Sequence, residues 1–175
     1  MIERTLIVFK PDALQRGIVG EILTRFERVG LKLIGLKMMA PDHTHFHAHY
    51  EGIGTMITRH GEEIFNTTLF NMMEGPVIAG VLEGIHSVEL VRKMVGATEP
   101  AKSAPGTIRG DYAQSNFAFA NSDGKTLPNI IHASADKNEA EKEVALWFSA
   151  QELYAYETVQ EQAIHGKKPT PKKKK

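Results

Sequence analysis

The chain has 175 residues, 42% of them hydrophobic, with 21 basic and 21 acidic side chains and no cysteine. That is enough apolar material for one domain with a real core, and it excludes disulfides, thiolate nucleophiles and cysteine metal sites, as fits the reducing cytoplasm. The neutral total hides an asymmetry, because the tail GKKPTPKKKK holds six lysines and leaves the body mildly acidic.

The N-terminal run in MIERTLIVFKPD is too short for a signal sequence, and no stretch is long enough to span a bilayer. TLIVF (5–9) instead reads as a strand buried on both faces and stopped by Lys10-Pro11-Asp12. IVGEILTRFERVG then places Ile18, Ile22, Leu23, Phe26 and Val29 at helical spacing, with Gly30 to end the helix. LKLIGLKMMA (31–40) alternates, shifts by one residue at Ile34 and alternates again, which predicts a half-exposed strand with a bulge. Asp42 can cap a helix over HTHFHAHYEGI, and TRHGEEIFNTT reads as a loop. GPVIAGVLEG (75–84) is a second buried strand. Ser87 can cap a helix that carries Val88, Val91, Met94 and Val95. ATEPAKSAPGTIRGDY, with two prolines, reads as a surface loop. The stretch Asn116 to Lys125 alternates Phe117 and Phe119 before Asp123-Gly124, a hairpin signal. NIIHAS follows as a strand. NEAEKEVALWF reads as a long helix presenting Ala140, Val144 and Trp147, and Ser149 to Glu152 as a capping box.

This order predicts an α+β fold: a ferredoxin-like split βαβ sandwich, a four-stranded antiparallel sheet with helices on its faces and the two apolar strands in the middle. A doubly wound parallel sheet would place a glycine-rich turn after the first strand, where this chain reads KPDALQRG. There is no GxGxxG and no GxxxxGK[ST], so phosphates, if held, are held without a P-loop. The domain spans 1–165, followed by a disordered lysine-rich tail (166–175) whose contact with nucleic acid is secondary to simple solvation.

Four polar features stand out. Lys10 ends a buried strand, Arg92 sits on the helix before GATEP, Arg109 follows a Pro-Gly turn, and His132 lies among isoleucines and small residues. Singly, each reads as a solvated or core residue. Together they suit phosphoryl transfer, which needs positive charge and positioning more than covalent work. A neutral imidazole keeps a nucleophilic lone pair, the small Ala133 and Ser134 admit a polyphosphate, and Glu143 on the next helix is placed to hold the ring. The histidines of HTHFHAHY pair at i, i+4 (His45 with His49, His43 with His47), too few ligands for a metal, and read as exposed helix residues.

KPDALQRGIVGEI, HY, GPV, PGTIRGDY, NIIHAS and AEKEVALWF resemble, in order, the signature segments of the nucleoside diphosphate kinases. The resemblance covers nearly the whole chain apart from insertions at 56–63 and 116–125 and the tail. It implies the ferredoxin-like fold and a γ-phosphate passed from ATP or another NTP to an NDP, by a ping-pong route through phosphorylated His132. It further implies that Lys10 and Asn129 bond the sugar and phosphate end, and that Arg92, Thr98 and Arg109 hold the β and γ phosphates. Tyr50 is implied to lie beside the histidine, Glu143 to orient it, and Phe65 to stack the base. Mg²⁺ is expected through the nucleotide phosphates and not through a protein cage. Family members are homo-oligomers, commonly hexamers and sometimes tetramers, and the EPAKSAPG loop resembles one used in subunit contacts. Where the family usually reads H-G-S-D, this chain has His132-Ala133-Ser134-Ala135, which removes a carboxylate. A nucleotide or nucleic-acid binding module without catalysis is the competing class, and it has no need of His132.

Overall fold

The run TLIVF lies in β1 (Ile2–Phe9), and its side chains alternate between two apolar layers. Leu6 and Val8 pack with Ile34, Phe46, Val81 and Trp147, while Ile7 and Phe9 pack with Ile22, Phe26, Leu82 and Val91. A strand with two apolar faces belongs inside a sheet covered on both sides. The computed structural model describes residues 1–122 and 127–165. In it β2 (Lys32–Met39), β3 (Val77–Ile85) and β4 (Ile131–Ala133) join β1 in an antiparallel sheet of order β2-β3-β1-β4, with the two apolar strands central as expected. This is the ferredoxin-like α+β architecture.

One layer receives α1 (Pro11–Gln15), α2 (Val19–Arg28), α6 (Ser87–Val95) and α7 (Ile108–Tyr112) through Ala13, Phe26, Val95 and Ile108. The opposite layer receives α3 (His43–His47), α5 (Glu62–Met72) and α9 (Lys137–Trp147) through Phe46, Leu69 and Val144. Asp42 caps α3 by accepting from the His45 amide at 2.8 Å, and the helix runs on into a π-helical turn, Ala48–Ile53. Asp136 caps α9 by accepting from the Glu139 amide at 2.9 Å. The residue after Ala135 thus places a carboxylate at the start of this helix. No helix among the described residues is long and apolar enough to cross a membrane.

Several expectations are corrected. The stretch read as a loop, residues 58–68, is helical, falling in α4 (Met56–His60) and α5, parted at Gly61 with φ +89°. Phe65, Leu69 and Met72 repeat at i, i+4 and i+7, a helical period that the polar residues between them mask. The stretch after Asn116 is α8 (Phe117–Ser122), not a hairpin strand. Asn116 Oδ1 accepts from the Phe119 amide at 2.8 Å, and this cap outweighs the short alternation. The expected Asp123-Gly124 turn and the lysine tail lie outside the described residues. Ser87 does not cap α6. It is the first helical residue, and its hydroxyl donates to the Glu3 carbonyl at 2.9 Å. Val29 is exposed instead of joining the face of α2.

The bulge is where the alternation placed it, since pairing of β2 with β3 slips between Leu33 and Gly35. The irregular backbone is used by the C-terminal segment. Tyr154 N donates to the Ile34 carbonyl at 2.8 Å, and Tyr156 Oη to that of Leu33 at 2.7 Å. Lys32 is buried there, its ammonium 2.8 Å from Glu83 and 2.7 Å from Glu161 of α10 (Val159–His165). A Cβ on Gly35 would stand 2.9 Å from Leu153 Cδ2 and 3.1 Å from the Glu152 carbonyl. Gly35→Ala should therefore destabilise the protein by about 1–3 kcal/mol, the usual penalty of overpacking. Urea unfolding measures this, and an unchanged midpoint would show that the C-terminal segment gives way freely.

Candidate active site

Because side chains alternate along a strand, Ile131 and Ala133 enter the layer of α2 and α6, and His132 points the other way, towards α9. Only three residues of β4 pair with β1, with His132 opposite Val8. The strand begins from a strained turn. Ile130 has φ +70°, rare for a β-branched residue, and the Ile131 amide donates to the Asn129 carbonyl at 2.7 Å, closing a three-residue γ-turn. Such a conformation costs about 1–3 kcal/mol and survives only where its surroundings over-determine it. Here Ile130 is fully buried, its amide donates to Asp12 Oδ2 at 3.0 Å, and its carbonyl accepts from the Lys10 amide at 2.9 Å. Arg109 clasps both flanks, with Nε donating to Asn129 O at 3.1 Å and Nη2 to Ile131 O at 2.6 Å. Its Nη1 reaches the Gly96 and Ala97 carbonyls at 3.3 and 3.1 Å.

The side chain of His132 is 21% exposed, and its Nε2 lies 2.9 Å from Glu143 Oε1. Glu143 is buried, and its other oxygen accepts from Ser134 Oγ at 2.5 Å. Burial alone would raise the carboxyl pKa, but His132, His49 and Ser134 together hold it well below the usual carboxylate range. An ionised carboxylate only accepts, so Nε2 carries the ring proton and Nδ1 is the nitrogen left outside this bond. His49 stands edge-on to His132 at 4.6 Å between centroids, and Tyr50 at 6.5 Å. Burial, with the Glu143 charge adding to it, pushes the Tyr50 pKa up, and its hydroxyl is buried with no hydrogen-bond partner among the described residues.

A cationic rim surrounds this group. Lys10 is half-buried at the end of β1, and burial, reinforced by the Arg109 charge and opposed by Asp12, lowers its pKa to about 8. Arg92 on α6 is near enough for its charge to add to the burial that lowers Arg109 to about 10, so Arg109 remains cationic at neutral pH. Asn129 Nδ2 donates to the Thr98 carbonyl at 2.9 Å, while its Oδ1 is buried without a partner among the described residues. Thr98 is exposed on the loop after α6. Two residues depart from their expected settings. Arg109, expected on the phosphates, is buried with its guanidinium donating to four backbone carbonyls, and Phe65, expected to stack the base, is buried with its ring 5.3 Å from that of His47. The apolar side chains exposed on that helix are Ile64 and Phe70.

Sequence reasoning missed His49, which it took for an exposed helix residue and which is 2% exposed. The signal was its i, i+4 spacing from His45, since both rings pack against Trp147. Ligand-type atoms of His49, His132 and Glu143 lie within 4.8 Å of one another, the one such group of three among the described residues. Hydrogen bonds already close this group, and its nitrogens are a poor match for a hard cation that wants six oxygens.

The model of the family described as nucleoside diphosphate kinase matches residues 3–153. The nucleoside diphosphate kinase of Borreliella burgdorferi is 40% identical over 156 residues, 89% of this chain and 93% of its own. That of Pyrococcus horikoshii is 46% identical over 155 residues, 88% of this chain and 90% of its own. Among solved structures, a transition-state mimic of the Borrelia burgdorferi enzyme with bound vanadate and ADP superposes with a TM-score of 0.89 at 39% identity, covering 93% of this chain and 96% of that one. The Halobacterium salinarum enzyme in complex with CDP gives 0.79 at 35% identity, covering 94% of this chain and 99% of that one. A chain that matches the family model over so much of its length, and shares the fold of enzymes with which it is more than one-third identical, belongs to the nucleoside diphosphate kinase family.

Proposed function

We propose that the domain 1–165 moves the γ-phosphoryl group of a nucleoside triphosphate to a nucleoside diphosphate, carrying it in between on His132 Nδ1. The observation that supports this best is the pairing of His132 Nε2 with buried Glu143, which leaves the other ring nitrogen outside that bond on a partly exposed side chain. In the first half-reaction the Nδ1 lone pair attacks the γ phosphorus, and the bond to the β–γ bridging oxygen breaks and releases the diphosphate. The ring becomes a phospho-imidazolium, and the Glu143 carboxylate stabilises its charge through the Nε2 proton. In the second half, a β-phosphate oxygen of another diphosphate attacks the same phosphorus, and the P–N bond breaks. The ring returns to its neutral state.

Lys10, Arg92 and Thr98 surround the phosphates, and Arg109 adds its charge while its bonds to four carbonyls keep the turn in shape. Tyr50 Oη and Asn129 Oδ1 are buried polar atoms without partners among the described residues; the tyrosine hydroxyl can donate to a phosphate oxygen, and the amide oxygen can accept from a sugar hydroxyl of the nucleotide. Mg²⁺ would be held by the nucleotide phosphates and not by a protein cage, and there it would neutralise phosphate charge alongside Lys10 and Arg92. The exposed Leu36 and Met38 on edge strand β2 support a homo-oligomer, which we expect to be a hexamer.

After incubation with ATP and Mg²⁺, the intact mass of the wild type should rise by one phosphoryl group, in an acid-labile, alkali-stable linkage that a second diphosphate discharges. His132→Ala should lose both this label and NTP–NDP exchange with its circular dichroism unchanged; retained turnover would leave a binding module as the better reading. Glu143→Gln should lower kcat by about 10-fold or more, corresponding to roughly 1.4 kcal/mol, at nearly unchanged KM. Steady-state kinetics reads the split. Lys10 is charged below its lowered pKa of about 8 and neutral above it, so kcat/KM for ATP should fall as pH rises through that value. A profile flat from about pH 7 to 9 would remove Lys10 from phosphate binding.

A further inference from the structure

We infer that His49 is a positioning residue for the phosphoacceptor: a buried imidazole that fixes the plane of the His132 ring and, pinned by Trp147, leaves the Oε1 oxygen of Glu143 to His132 alone. This rests on His132 as the group that carries the phosphoryl.

A histidine ring turns easily about its second side-chain torsion, where the energy wells are broad. Glu143 holds one atom of the ring, Nε2, so the ring is still free to swing about that point and re-aim Nδ1. In-line attack needs that lone pair aligned with the phosphorus. The backbone fixes where His132 starts but not how its ring is turned, so a wall is required. The His49 ring supplies it, with centroids 4.6 Å apart and the planes at 79°. Tyr50 stands farther off, at 6.5 Å.

His49 is itself locked. The Trp147 indole N–H donates to its Nδ1 at 3.1 Å, inside the core. A nitrogen that accepts carries no proton, so the proton of His49 is on Nε2. This matters because His49 Nδ1 is 3.7 Å from Glu143 Oε1, the oxygen that His132 uses. Were Nδ1 protonated, two imidazoles would compete for one carboxylate oxygen. The groups facing His49 are His132 on β4, His45 on its own helix, Lys10 at the end of β1 and Glu143 on α9, of which Glu143 alone favours a charge on it. Burial, followed by His132, lowers the His49 pKa to about 3, so the ring stays neutral at working pH.

Two substitutions separate positioning from packing. In His49→Asn the amide oxygen takes the place of Nδ1 and keeps the Trp147 bond, but the ring is gone. In His49→Phe the ring is kept, and the Trp147 N–H is left buried without a partner. If His49 positions His132, single-turnover labelling of the full chain by ATP and Mg²⁺ should be slower in the Asn variant than in the Phe variant. The Asn rate should fall about 10-fold or more, with KM for ATP within about twofold of wild type. Melting temperatures should rank the other way, Phe below Asn. Rates that follow stability, Asn at or above Phe, would overturn the inference.

Nitrogen-15 NMR of histidine-labelled wild type tests the lock even if neither variant folds. His49 should show Nδ1 bare and Nε2 protonated from about pH 5 to 8. A protonated Nδ1, or titration in that range, would also overturn it. Failure of wild-type His132 to take up phosphate would overturn the proposed function and this inference with it. A labelled His132 whose variant rates follow stability sinks the inference alone.

Discussion

The site depends on one buried guanidinium. Arg109 spends its donors on the carbonyls of Gly96, Ala97, Asn129 and Ile131, so one side chain ties the loop after α6 to the turn that opens β4. Five N–H donors in a rigid fork make arginine the residue that can hold so many acceptors at once. Without that clasp, nothing comparable would hold Ile130 at φ +70°, and the strand would leave the turn in another direction. The charge that does this also stands beside the place proposed for the phosphates. Scaffold and electrostatics are the same atoms.

Opposite this clasp lies an inward stack of polar groups: His132, Glu143, Ser134, His49 and Trp147. Burying such groups is unfavourable unless each finds a partner, and the chain that runs from hydroxyl to carboxylate to imidazole, with the indole closing on the second imidazole, meets this demand. The atoms left without partners among the described residues include Tyr50 Oη and Asn129 Oδ1, both at the rim. Buried polar atoms that want a partner beside such a network are suited to a polar ligand.

Much of this was legible in the chain. The unbroken apolar run TLIVF marked a central strand buried on both faces, and NIIHAS marked the strand that carries His132. The one-residue slip at Ile34 marked the bulge. Helix caps were read well where the acid precedes the helix, as at Asp42. Other features were not legible because they depend on contacts distant in sequence. The buried Lys32 needs Glu161 to be explained, and His49 needs Trp147. Phe65 and Ile64 differ by one position along a helix whose phase depends on the break at Gly61, and counting residues could not decide which faced out. Two alternating phenylalanines proved too short a run to outweigh one cap at Asn116.

The clasp has a further consequence for folding. Its parts are scattered: Asp12 reaches Ile130 across 118 positions, and Arg109 reaches Ile131 across 22. Closing such distances costs chain entropy before any contact rewards it. The turn that aims His132 is thus held by a few long-range bonds and by the three residues of β4 that pair with β1. A chain that has slackened only there would keep nearly all its secondary structure and yet have no working centre, which makes catalysis a more sensitive gauge of native order than any spectroscopic probe of the sheet.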